Sequence, residues 1–110
     1  MERNSKIFTY LGFAIRARKI ALGNTAVSVC KKPIFLLILC RSAAKNTRHE
    51  AENLAQRRRL PLIVLEDLQS YVGKENCKIC AVLDANLAKA VLEQIPKNEI
   101  LFGGMTLEQN

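Results

Sequence analysis

Ile34-Phe35-Leu36-Leu37-Ile38-Leu39-Cys40 is an unbroken apolar run, preceded by Pro33 and followed by Arg41-Ser42. A strand with one face in water alternates apolar and polar residues. This run does not alternate, so a strand here must be covered on both faces. Leu62-Ile63-Val64-Leu65 and the stretch from Ile79 to Leu83 have the same character. Three doubly buried strands require helices above and below the sheet they form.

The sequence between these strands supplies such helices. From Ser5 to about Arg16, Ile7, Phe8, Leu11, Ala14 and Ile15 recur at three- and four-residue spacing and predict one apolar helical face. Ile20 to Leu22 reads as a short strand. Gly23 and Asn24 then fit the turn and N-cap of a second helix reaching about Lys31, although Val27 and Val29 would also suit a strand. A third helix is predicted over Asn46 to Arg59, with Thr47, Ala51, Leu54 and Ala55 facing inward and Arg48, Glu52 and Arg59 outward, ended by Pro61. Glu66-Asp67 opens a short helical turn from Leu68 to Val72 that Gly73 stops. Asp84 is placed to cap a last helix whose stripe is Leu87, Ala88, Val91, Leu92 and Ile95, ended by Pro96. The predicted fold class is α/β, a single-domain three-layer α/β/α sandwich with a central sheet. The domain spans residues 1–96, and a C-terminal tail, residues 97–110, either packs back on it or hangs free.

At 110 residues and 49% hydrophobic composition, the chain suits one globular domain. Its net charge of +7 and pI near 9.5 point to a polyanionic partner. Residues 1–59 hold thirteen Lys/Arg against three acids, whereas residues 60–110 hold four against seven, so the positive field belongs to the first half. A membrane partner is not expected, because the apolar run at Ile34–Cys40 is far short of the ~20 residues of a spanning helix. Met1-Glu2-Arg3-Asn4-Ser5-Lys6 leads into a segment interrupted by Thr9, Tyr10, Gly12 and Arg16, which is not expected to act as a signal peptide. A cytoplasmic location is expected.

Enzyme chemistry finds little support. There is no GxGxxG, and Gly73-Lys74 lacks the remainder of a phosphate-binding loop. The single histidine, His49, falls on the exposed side of a helix between Arg48 and Glu50. Glu66-Asp67 and Asp84 suit helix starts. Cys77-Lys-Ile-Cys80 has metal or redox spacing, but the chain holds no second such pair, and three of its four cysteines lie in apolar stretches where a thiol acts as a small hydrophobe. No catalytic residue, metal or cofactor is expected.

The stretch around Gly23-Asn24 is better suited to a nucleic acid. Glycine permits close backbone approach, and an asparagine amide both donates to and accepts from base edges. Arg16, Arg18, Lys19, Lys31 and Lys32 flank the pair in sequence and are expected to contact phosphates on either side of it. Taken alone, the pair also fits an ordinary helix start with solvated lysines nearby.

The order of elements adds weight. Leu11-Gly-Phe-Ala-Ile-Arg-Ala-Arg-Lys19, Gly23-Asn24, the strand-to-helix passage with Ala44-Lys-Asn-Thr47, and Gly73-Lys74 followed by a strand and Asp84 make the chain resemble the kink-turn-binding ribosomal protein superfamily of L-seven-Ae and L-thirty-e type, closest to its bacterial YlxQ-like branch. The resemblance runs from Lys6 to about Ile95 and implies an α/β/α sandwich with a mixed sheet. It also implies RNA binding by the second helix's N-terminus and by the loop before the last strand, here Lys74, Glu75 and Asn76. Thr25 and Ser28 stand where the family pattern has Glu and Lys. They offer hydroxyl contacts with shorter reach and no charge, which lowers discrimination between bases. The expectation is a non-enzymatic, monomeric RNA-binding protein, ribosomal or ribosome-associated, that takes structured, kink-turn-like RNA. The alternative is a protein-interaction module that keeps the fold without the RNA site and docks a protein partner through the acidic second half or the C-terminal tail.

Overall fold

The apolar run forms the middle strand of a five-stranded sheet in the computed structural model, which describes residues 4–102. In chain order the elements are α1 (Ser5–Arg16), β1 (Ile20–Leu22), α2 (Asn24–Ser28), β2 (Leu36–Cys40), α3 (Lys45–Arg58), β3 (Pro61–Leu65), α4 (Leu68–Val72), β4 (Ile79–Val82), α5 (Ala85–Leu92), a 3₁₀ turn (Lys97–Glu99) and β5 (Leu101–Phe102). The strand order is β1-β4-β2-β3-β5. β2 and β3 are parallel, joined through α3, and the other pairings are antiparallel, so the sheet is mixed.

β2 shows why the run carries no polar residue. Leu36, Ile38 and Cys40 point into a core shared with Ile7 and Leu11 of α1, Leu68 of α4 and Val91 of α5. Leu37 and Leu39 point the other way, into a core shared with Val27 of α2 and Ala51, Leu54 and Ala55 of α3. All five are buried, and each leucine or isoleucine so placed contributes about 1.5–3 kcal/mol relative to exposure. The helices thus form two layers, α1, α4 and α5 on one face and α2 and α3 on the other.

Local chemistry sets the helix ends. Asn4 caps α1, its Oδ1 accepting from the Lys6 and Ile7 N–H groups at 3.0 Å each. The Asp84 carboxylate accepts from the Leu87 N–H at 2.9 Å, as its position predicts. The buried residues of α3 are the predicted Thr47, Ala51, Leu54 and Ala55, while Arg48 and Glu52 are half-buried and Arg59 is the left-handed C-cap at φ 56°.

Three expectations need correction. Phe8 is 41% exposed, because the buried face of α1 is the narrow line Ile7, Leu11 and Ala14, and Phe8 lies about 100° around the helix from Ile7. α2 ends at Ser28 and does not reach Lys31. The chain there must open out to meet β2, and β-branched Val27 and Val29 slightly disfavour helix. β2 begins at Leu36: Ile34 is buried ahead of it, and the Phe35 N–H donates to the Val82 carbonyl.

The segment after Pro96 packs back on the domain as far as Phe102. Ile100 is buried, and β5 pairs with β3 through Pro61↔Phe102 and Leu62↔Leu101. The rest of the tail, residues 103–110, and residues 1–3 lie outside the described residues. Among the described residues, no helix is long and apolar enough to cross a membrane.

Candidate nucleic-acid interface

Strand polarity brings several loops to one end of the sheet. β1, β2 and β3 all finish there, and β4 starts there, as the pairs Leu22↔Cys80, Leu39↔Ile79 and Cys40↔Leu65 require. The α2 start, the passage from Arg41 to Thr47, Glu66-Asp67 and the loop from Lys74 to Lys78 therefore converge. Gly23 turns the chain from β1 into α2 at φ +92°, a conformation that favours glycine, and its N–H donates to the Ile79 carbonyl at 2.9 Å. A Cβ there would meet only the Lys74 Nζ at 3.7 Å, so the backbone angle, and not crowding, is what requires glycine.

Asn24 follows as the first residue of α2, with Gly23 itself in the cap position. The Asn24 side chain is exposed and its Nδ2 donates to the Thr47 Oγ1 on α3 at 3.3 Å, tying two helix starts together. Lys74 Nζ donates to the Leu22 carbonyl at 3.5 Å and brings the third segment to the corner. Glu75 and Asn76 are exposed beside it. Asn76 is left-handed at φ 61°, with its N–H donating to Gln69 Oε1 at 3.0 Å. Lys78 Nζ donates to Ser42 Oγ at 2.8 Å. Arg41 forms an ion pair with Glu66. α3 starts at Lys45 without a side-chain cap, so its first N–H groups and a lysine share this end.

The corner is open, but the cations expected beside it are elsewhere. Lys19 sits at the far end of β1, where its carbonyl accepts from the Leu83 N–H, while Gly23 bonds to Ile79. Four residues of extended β4 separate those contacts, roughly 13 Å. Arg16 stacks over the Phe13 ring at 5.0 Å, Arg18 occupies a left-handed turn at φ 58°, and Lys19 Nζ pairs with Asp84 at 3.6 Å. Lys31 and Lys32 follow the C-terminal end of α2, where the chain returns to the start of β2. Short sequence separation from Gly23 did not give proximity, because β1 is extended and α2 runs back from the corner. Thr25 is exposed beside Asn24, whereas Ser28 Oγ donates to the Thr25 carbonyl at 3.0 Å, within its own helix.

A groove of about 600 Å³ leads from the corner between α2 and α3. Asn24, Thr25 and Ser28 line one wall, and Asn53, Arg57 and Arg58 the other. Val27, Leu54 and Ile79 also line it, and Glu50 contributes a carboxylate. Arg57 and Arg58 stand outside the residues expected from the sequence, which assigns a face only to Arg59 of their run. Three consecutive arginines, Arg57 to Arg59, were the available signal. Lys78 is not expected at this end from the sequence, because only strand pairing brings its neighbour Ile79, whose carbonyl bonds to Gly23, to the turn; Lys45 falls within the Ala44-Lys-Asn-Thr47 passage but is assigned no contact of its own. On the opposite layer, Phe35, Ala88, Leu92, Ile95 and Ile100 line an apolar cleft of about 730 Å³.

The cysteines are free thiols. Burial pushes Cys80 well above the ordinary thiol range and Cys77 above it, which holds both as neutral packing groups. At Cys40 burial also acts upward, but hydrogen bonds from Ser42 and from the Leu68 backbone, with the Lys78 charge nearby, outweigh it and lower the pKa. Among the described residues, no three His, Cys, Asp or Glu side chains group so as to hold a metal ion. His49 is exposed on α3.

No family model and no curated protein matches the chain. Among solved structures, a protein with unknown function from Bacillus halodurans C is similar, with a TM-score of 0.67 and 23% identity over 82% of this chain and 96% of that one. This likeness supports the α/β sandwich as a fold shared with another protein.

Proposed function

We propose that the chain is a non-enzymatic RNA-binding protein, ribosomal or ribosome-associated and cytoplasmic, that holds bent, kink-turn-like RNA at the Gly23–Asn24 corner. The observation that carries this reading is the meeting of three chain segments there, linked by Asn24 to Thr47 at 3.3 Å and by Lys74 to the Leu22 carbonyl at 3.5 Å. A bent backbone offers phosphates and base edges in several directions at once, and this corner faces them with amides, hydroxyls and lysines from separate loops. Lys74 and Lys78 bond to neutral oxygens and so keep their full charge for phosphate. Asn24 supplies the base-edge contact, and Thr25 a hydroxyl beside it. The resemblance to the kink-turn superfamily, carried by Gly23-Asn24 and Gly73-Lys74 among other stretches, implies RNA at the same corner.

Binding of a bent stem and of a straight duplex at one fixed salt concentration tests the proposal. Asn24→Ala is expected to weaken the bent stem about tenfold, the scale of one lost hydrogen bond to a polar edge, and the duplex much less. Equal losses on both would reject a specific role for the corner.

A second reading, a module that docks a protein, draws on the apolar cleft beside α5, where Phe35 is 38% exposed. Pull-down after nuclease treatment separates the two readings: partners lost with RNA favour the first, and partners that persist favour the second.

A further inference from the structure

We propose that the α2–α3 groove is a second RNA contact, taking a single strand that leaves the corner and gripping its phosphates at Arg57 and Arg58. The inference rests on the RNA reading of the corner and extends it to a site nearly three helical turns away. From Thr47 to Arg57 is ten residues of α3, about 15 Å of helix axis. The groove is continuous over that span, since Asn24 and Thr25 line it together with Arg57 and Arg58.

The character of the lining changes along the groove. Asn24 and Thr25 offer neutral donors and acceptors. Glu50 and Asn53 come next along α3; a carboxylate there repels phosphate but accepts from ribose hydroxyls and base amines. Arg57 and Arg58 follow, exposed, and neither forms an ion pair with an acid among the described residues. They lie at the C-terminal, negative end of the α3 dipole. An anion there would be held by the guanidinium forks and not by backbone N–H groups. Basic residues in a last helical turn also favour the helix itself, so a purely local role predicts no effect on ligand length. A cleft of about 600 Å³ is small beside a duplex, which makes a single-stranded extension the fitting ligand.

The test compares a bent stem with the same stem carrying a short single-stranded RNA extension, using the full chain. Wild type is expected to bind the extended RNA about tenfold more tightly, with two additional phosphate contacts steepening its log-affinity against log-salt slope by about 1.4. Arg57→Gln/Arg58→Gln is expected to lose that gain and the added slope while binding the plain stem as wild type does, which also shows that it is folded. Arg57→Lys/Arg58→Lys keeps both charges at the helix end and is expected to retain part of the gain, as point charges replace bidentate forks. A wild-type chain that gains nothing from the extension, or a glutamine variant that keeps the gain, overturns the groove site alone. A wild-type chain that binds neither RNA overturns the function proposed for the corner, and the groove site with it.

Discussion

The two ends of the sheet both carry lysines and arginines, but they use them differently. At the end where β1 begins, Lys19 pairs with Asp84 and Arg16 lies over Phe13, so the protein itself occupies these cations. At the end where β1 finishes, Lys74 and Lys78 bond to the Leu22 carbonyl and the Ser42 hydroxyl. Neither partner carries charge. Net charge alone does not distinguish the two ends; the partner of each cation does. Arg41, paired with Glu66, is the exception at the open end.

The difference between the ends can be removed or made sharper. Ile38→Ala, in the strand that joins the two layers, weakens both ends together. A fully buried isoleucine truncated there is expected to cost about 2–5 kcal/mol, read as a lower midpoint in urea unfolding with an unchanged slope. Gly23→Ala strains the open end only. At φ +92° a side chain is expected to cost about 1–3 kcal/mol with no steric clash, again measured by urea, while the Lys19–Asp84 end keeps its packing.

Neutralising Lys74 and Lys78 to glutamine is expected to reduce bent-stem affinity and to flatten its salt slope by about 2, whereas Arg18→Gln/Lys19→Gln changes either quantity little. Equal effects from the two pairs would erase the distinction between the ends. The smallest effect is acid sensitivity at the paired end. The Leu87 backbone N–H, with Asn86 and Lys19 assisting, holds the Asp84 carboxyl below its ordinary value of 3.8. Its contribution to stability is thus complete above that value and lost as pH falls through the lower folded one. Asp84→Asn should flatten this acid limb of a stability–pH curve.

Much of the fold could be read locally. The limits of α1, the inward face of α3 and the Asp84 cap depend on residues a few positions apart, and the structure has them where periodicity and capping chemistry predict. Phe8 and the length of α2 failed at the same local level, the first because one residue's rotation leaves a narrow buried face, the second because the chain had to open towards β2. The site was less legible. Gly23, Asn24, Thr25 and Lys74 meet as expected, but β1 pairs with β4 some sixty residues later, and that antiparallel register decides which loops share an end. No spacing in the sequence carries it. Hence Lys78 has no local signature, and Arg18 and Lys19, close to the turn in sequence, are separated from it by a strand.

Among the described residues the outermost strands are also the shortest, three residues in β1 and two in β5. A rim that brief offers another copy few free N–H and C=O groups on which to add a strand, so an interior this rich in leucine and isoleucine is shielded from stacking edge to edge into aggregates.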